Sequence, residues 1–275
     1  MKKTFDFNRF WQVMKWTILT EKKSILTAFL AFVCAFLAIQ LFSCFTIFDL
    51  THSLGSAATM AGMITCSGLI SFMGFYYASG VLGNARTGQQ RIIALMLPAS
   101  HVEKFFARLL YCCIIMPVVI YLAVVVSTGL RMLFELLAGH EGITSGLSYV
   151  FSGPTMRFND NELELFSTFF YVASSCWSIS LFVLGGVFFH QRPFIWTAIT
   201  IFAASLLLST LTFYICYMIG EDSIKNFLMN FRGMTFETFD LILSLILTAF
   251  TVLNVWLSYR LYCRLQVVQH KWFNV

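Results

Sequence analysis

The chain has 275 residues, of which 59% are hydrophobic and only 11% charged, with a net charge of +5. An ordinary globular chain is about 45–50% apolar and about 25% charged, so this composition excludes a soluble globular domain. The charges cluster, leaving charge-free stretches of at least 19 residues at Ser24–Phe48, Leu50–Ala85, Leu109–Leu130, Leu165–Gln191, Pro193–Gly220 and Leu241–Tyr259. A helix needs about 20 apolar residues to cross a bilayer. A membrane β-barrel would instead alternate apolar and polar residues, which Leu26–Leu41 does not do.

The expected fold is an all-α membrane protein: a single domain over residues 1–275, with six transmembrane helices at about 24–48, 57–79, 109–130, 165–189, 195–219 and 241–259. Ahead of them, at about 5–19, Phe7, Phe10, Trp11, Met14 and Ile18 recur at helical spacing with Arg9, Gln12 and Lys15 between them. That pattern predicts an N-terminal interfacial amphipathic helix. The first span is expected to act as an uncleaved anchor. The second is rich in small residues, with Ala58 and Gly62, Ser67 and Ser71, Gly74 and Ala78 each one turn apart, which lets helix backbones approach closely in lipid.

After the third span, Arg131 and Glu135 at i,i+4 predict a helical continuation before the Gly/Ser-rich stretch around Gly142–Pro154. The fourth span carries Ser174, Ser175, Ser178 and Ser180. Their hydroxyls either line a cavity or bond carbonyls of their own helix. The segment Glu221–Asp240 has apolar residues at helical spacing and is expected to dip into the interface before the sixth span. That span is expected to run on as a helix through Arg260 and Arg264.

With alternating sides assigned, the segments Met1–Lys23, Gly80–Arg108, His190–Phe194 and Arg260–Val275 hold fourteen of the 18 basic residues and three of the 13 acidic ones. The positive-inside rule therefore places both termini in the cytoplasm, and the expected location is the cell membrane. The basic excess is accounted for by topology and anionic lipid headgroups, so no nucleic-acid partner is expected.

Seven of the eight cysteines fall in the expected spans and Cys263 in the cytoplasmic tail, which reads as buried, weakly polar packing rather than a disulfide framework. Scattered histidines argue against a metal site. The expected spans hold no ionisable residue, which disfavours an ion-driven transporter. Their stronger polar groups are the amides of Gln40 and Asn254, expected as links between helices. Ser67 has no histidine deep in another span to activate it, and the sequence lacks a Gly-x-x-x-x-Gly-Lys-Ser/Thr phosphate loop. Neither an enzyme nor a self-contained ATPase is expected, and no cofactor is expected on this chain.

What remains is the segment between spans two and three. In Leu97-Pro98-Ala99-Ser100-His101-Val102-Glu103-Lys104-Phe105, Ser100 and Glu103 have capping-box spacing, which predicts a rigid helix starting at Ser100 and running directly into span three. Lys104 and Arg108 lie one turn apart on it. Upstream, Arg86 and Arg91 bracket Gly88 and two glutamines, and Ile92–Leu97 reads as a short surface helix. Lys104 and Arg91 are expected on the solvent side. Local pattern alone fits a capped helix start with positive-inside anchors as well as it fits a partner-docking element.

The string Leu97-Pro98-Ala99-Ser100-x-x-Glu103-Lys104-Phe105-x-x-Arg108 resembles one found in bacterial membrane proteins related to the ABC-2-type permeases, and the six-span order is similar too. The resemblance implies a transmembrane subunit of an ATP-driven exporter, energised by ATP through a separate cytoplasmic ATPase and paired with a second permease subunit, identical or not, in the lipid bilayer. It also implies that Gly80–Lys104 contacts the ATPase and that the turn Gly185–Phe194 is a second contact. Arg86, Arg91, Ser100, Glu103, Lys104, Arg108, His190 and Arg192 are then the expected contact residues. The competing class is a stand-alone membrane scaffold or accessory protein without transport activity.

Overall fold

The protein is described by a computed structural model over residues 6–48, 55–82, 99–137, 161–189, 192–219 and 236–264. The described residues are helical almost throughout. They form α1 (Phe7–Phe48), α2 (Gly55–Ala78), α3 (His101–Leu110), a π-helical turn (Tyr111–Ile115), α4 (Met116–Leu137), α5 (Asn161–Phe188), α6 (Pro193–Ile219) and α7 (Phe236–Cys263). Five stretches are long and apolar enough to cross a membrane: Phe7–Phe42, His101–Phe134, Thr168–Phe188, Pro193–Ile215 and Asp240–Cys263. Within the second, Glu103, Lys104 and Arg108 precede the charge-free run that starts at Leu109. The expected second span is helical as α2. Large apolar side chains such as Phe202, Leu207 and Phe213 stand 65–76% exposed. Water would not tolerate so large an apolar surface on a monomer, and the chain is membrane-embedded.

The chain divides into two compact units, Met1–Tyr77 with Leu97–Thr155, and Ala78–Met96 with Met156–Val275. In the first, α1 is one uninterrupted helix of 42 residues that takes in both the expected interfacial stretch and the first span. Its sequence contains no glycine or proline, and Glu21, Lys22 and Lys23, which separate the two stretches, are good helix formers. At 1.5 Å per residue α1 is about 63 Å long, against about 30 Å of hydrocarbon. Only its charge-free half is needed to span.

The helix beginning at His101 runs through α3 and α4 past Arg131 to Leu137, as the residue spacing predicts. Its π turn has a local cause. Pro117 lacks an N–H, and its ring would meet the carbonyl of Cys113 in a regular α-helix. The wider turn, in which the Met116 amide donates to the Tyr111 carbonyl five residues back, relieves that conflict. α1 packs beside α3 and α4 around two cores, one of Val13, Met14 and Ala107 and one of Phe36, Cys66, Ile120, Ala123 and Val124.

In the second unit α7 packs along α5, and α6 packs on α5 near the turn that joins them. Two glycines make that turn tight. A Cβ on Gly185 would run into Thr197, and one on Gly186 into the carbonyl of Ser79. Phe182 and Phe194 stack across the same corner with centroids 5.6 Å apart. Arg192 adopts φ 46° just before Pro193, a left-handed conformation that costs a non-glycine residue about 1–2 kcal/mol.

Each unit contains one amide link between helices, as expected of Gln40 and Asn254. Gln40 Nε2 donates to Thr128 Oγ1 at 3.2 Å, and Asn254 Nδ2 donates to Ser180 Oγ at 3.0 Å. Thr128 also donates to the Val124 carbonyl at 2.8 Å, so removing Gln40 leaves the Thr128 hydroxyl partnered, and takes away the donor that Thr128 and the Cys66 sulfur accept from. Gln40→Leu and Asn254→Leu should therefore each cost only about 0.6–1.7 kcal/mol, the range for interhelical hydrogen bonds in lipid. Unfolding in mixed detergent–SDS micelles reads this directly, and losses well above that range would show the amides to be more than links. Of the alternatives for the α5 serines, the structure takes the inward one: Ser174, Ser175, Ser178 and Ser180 all donate to carbonyls three or four residues back.

Candidate functional site

The start of α3 is a capping box with both halves formed. Ser100 Oγ accepts from the Glu103 amide at 3.2 Å, and Glu103 Oε2 accepts from the Ser100 amide at 2.9 Å. The second carboxylate oxygen leaves the helix altogether: Glu103 Oε1 accepts from the backbone amide of Asp6 at 3.0 Å, across 97 residues of sequence.

Asp6 is the N-cap of α1. Its carboxylate accepts from the Asn8 amide at 3.0 Å and its carbonyl from the Phe10 amide at 3.0 Å. Arg9, one turn further, lies 3.5 Å from Asp6 Oδ2 and 3.7 Å from Glu103 Oε1. The first turns of α1 and α3 are thus tied into one knot, with the Glu103 side chain fully buried at its centre.

Glu103 lies ahead of the charge-free part of its helix. Burial is the largest single influence on its carboxyl and acts to raise its pKa. The amides of Asp6 and Ser100, the Arg9 guanidinium and the Ser100 hydroxyl together outweigh burial and hold the group below its ordinary value. The result is a carboxylate that stays ionised in a dry site because two helix starts supply its donors.

Of the residues singled out by sequence, Ser100 and Glu103 are brought together. Lys104 is only 8% exposed, which corrects the expectation that it lies on the solvent side. It follows Glu103 on α3 and is buried with it. Arg108 is half-buried one turn on. Arg192 is exposed and accepts, through its carbonyl, from the amides of Ile195 and Trp196 at the start of α6. Arg86, Arg91 and His190 lie outside the described residues, as do the expected surface helix at Ile92–Leu97 and most of Glu221–Asp240.

Asp6 was not singled out by sequence, and Arg9 entered only as part of the polar face of the first helix. Their signal was present as an Asp directly before the first helical residue and an Arg three positions on, but nothing local points to Glu103. Among the described residues no cluster of three or more His, Cys, Asp or Glu is placed to hold a metal. The described cysteines are free thiols, with Cys66 and Cys112 buried and Cys34, Cys176 and Cys263 exposed.

No family model, curated protein or solved structure matches the chain.

Proposed function

We propose that the protein is a non-catalytic transmembrane subunit of an ATP-driven exporter of the ABC-2 type, which works with a separate cytoplasmic ATPase and a second permease subunit. The carrying observation is the knot at Ser100 and Glu103. It makes the start of α3 a rigid post, fixed to the start of α1, while the Gln40 and Asn254 amides bond between helices. A subunit driven by another protein needs such a post, because a push on a loose loop would be lost before it reached the helices. The resemblance of Leu97–Arg108 to ABC-2-related proteins supports the same reading. In mild detergent, the tagged full chain should bring down an ATPase from its native membrane, and repeated recovery of the chain alone would count against the exporter role and for a stand-alone scaffold.

The finer architecture belongs to this reading: six spans, with both termini and residues 80–108 in the cytoplasm of the bacterial cell. In a chain otherwise cleared of cysteines, Asn159→Cys and Asn226→Cys should react with an impermeant thiol reagent added to intact cells, and Thr87→Cys should be protected. Labelling at Thr87→Cys in intact cells would reverse the assigned orientation.

A further inference from the structure

The C-terminal end of α7 carries a charge that its own sequence does not balance. From Leu241 to Val275 there are three basic side chains, Arg260, Arg264 and Lys271, and no Asp or Glu. Among the described residues no ion pair reaches Arg260 or Arg264. Both arginines are exposed. Arg260 is also held in place: its guanidinium carbon sits 4.1 Å from the centre of the Trp256 ring, one turn back. An exposed arginine is normally free to sample many rotamers, and stacking on an indole removes much of that freedom while leaving the N–H fork available.

The surface running back from Trp256 along α7 is apolar and uncovered. Leu245 is 54% exposed, Val252 69% and Trp256 itself 49%. An indole between an apolar helix face and two guanidiniums is the pattern of a membrane interface. A ligand that fits must carry an anionic oxygen group for the two arginines and an apolar body that continues along Leu245, Val252 and Trp256. An acidic peptide supplies the first feature without the second.

We propose that Trp256, Arg260 and Arg264 form a binding site for the headgroup phosphate of an anionic phospholipid, whose acyl chains cover the exposed face of α7. Guanidinium and phosphate pair through charge-assisted, bidentate hydrogen bonds, and the stacked Arg260 enters that pair with little further ordering. The site does not depend on the exporter reading, since a scaffold would present it equally.

The test uses the full chain in nanodiscs of phosphatidylcholine mixed with phosphatidylglycerol, followed by native mass spectrometry of the lipids retained on extraction. One basic side chain near an anionic surface is worth about fivefold in binding, so Arg260→Gln with Arg264→Gln should lower retained phosphatidylglycerol by about 25-fold. Phosphatidylcholine retention and the elution profile should not change. Lys22→Gln with Lys23→Gln, which removes the same charge from an exposed part of α1, should keep phosphatidylglycerol at the wild-type level. Equal loss in that control would show general charge attraction and overturn the site, as would full retention by the arginine variant. Displacement of the lipid by millimolar inorganic phosphate would reassign the arginines to a free anion.

Discussion

Replacing Glu103 with alanine is expected to remove about 1–3 kcal/mol from the stability of the first unit, the usual cost of leaving buried hydrogen-bond donors without their acceptor. The carboxylate is the acceptor for the amides of Asp6 and Ser100 and the neighbour of the Arg9 guanidinium. Alanine leaves those donors facing a dry gap. Glu103→Gln keeps an acceptor and should cost less. Ser100→Ala removes one half of the capping box and should cost about 0.5–2 kcal/mol. The same unfolding measurement, repeated across pH, separates charge from shape. Because the folded pKa is depressed, the contribution is complete above the unfolded value of about 4.3 and is lost as pH falls through the lower folded value. That acid limb should vanish in Glu103→Gln. A Glu103→Ala variant as stable as wild type would mean that the knot is an incidental contact.

The second large effect is expected at Gly186. A methyl group there would sit 2.8 Å from the carbonyl carbon and 3.0 Å from the Cα of Ser79. Backbone cannot step aside as a side chain can. Gly186→Ala should cost about 3 kcal/mol, at the upper end of overpacking penalties, and show as loss of folded protein in detergent. Gly185→Ala meets Thr197 instead, a buried side chain that donates to the Pro193 carbonyl at 2.6 Å. Thr197→Ala removes two of the three crowding atoms and leaves the Cβ at 2.7 Å, so it should partly rescue Gly185→Ala. The same substitution should do nothing for Gly186→Ala. Equal rescue of both would show that the turn yields as a whole.

The features legible in sequence were those with a short-range cause. Charge-free runs of spanning length marked the apolar helices, the Ser-x-x-Glu spacing marked the start of α3, and the isolated amides in apolar runs marked the links at Gln40 and Asn254. What escaped was set by pairing at long range. Glu103 was readable as a cap, but its second oxygen bonds Asp6 across 97 residues, and no periodicity records that. Lys104 looked solvent-exposed because lysine usually is, whereas in the fold it is buried. The continuity of α1 was hidden by Glu21-Lys22-Lys23, a charge cluster that interrupts the apolar run without ending the helix.

The tie between α1 and its neighbour fixes a length as well as a position. Asp6 meets Glu103 and Gln40 meets Thr128, so the two helices run in the same direction and are pinned together at both ends. Between the pins α1 has 34 residues and the partner strut 25, or about 51 Å against 37 Å at α-helical rise. Gentle helix curvature, with a radius of about 60–100 Å, shortens a span of that length by only about 1 Å, so the surplus is met by side chains reaching obliquely across each pin and by the angle between the helices. Cutting the pin at Glu103 would free the start of α1 from α3 while Gln40 still holds the other end, so with both pins intact a displacement of the start of α3 has to be shared with α1.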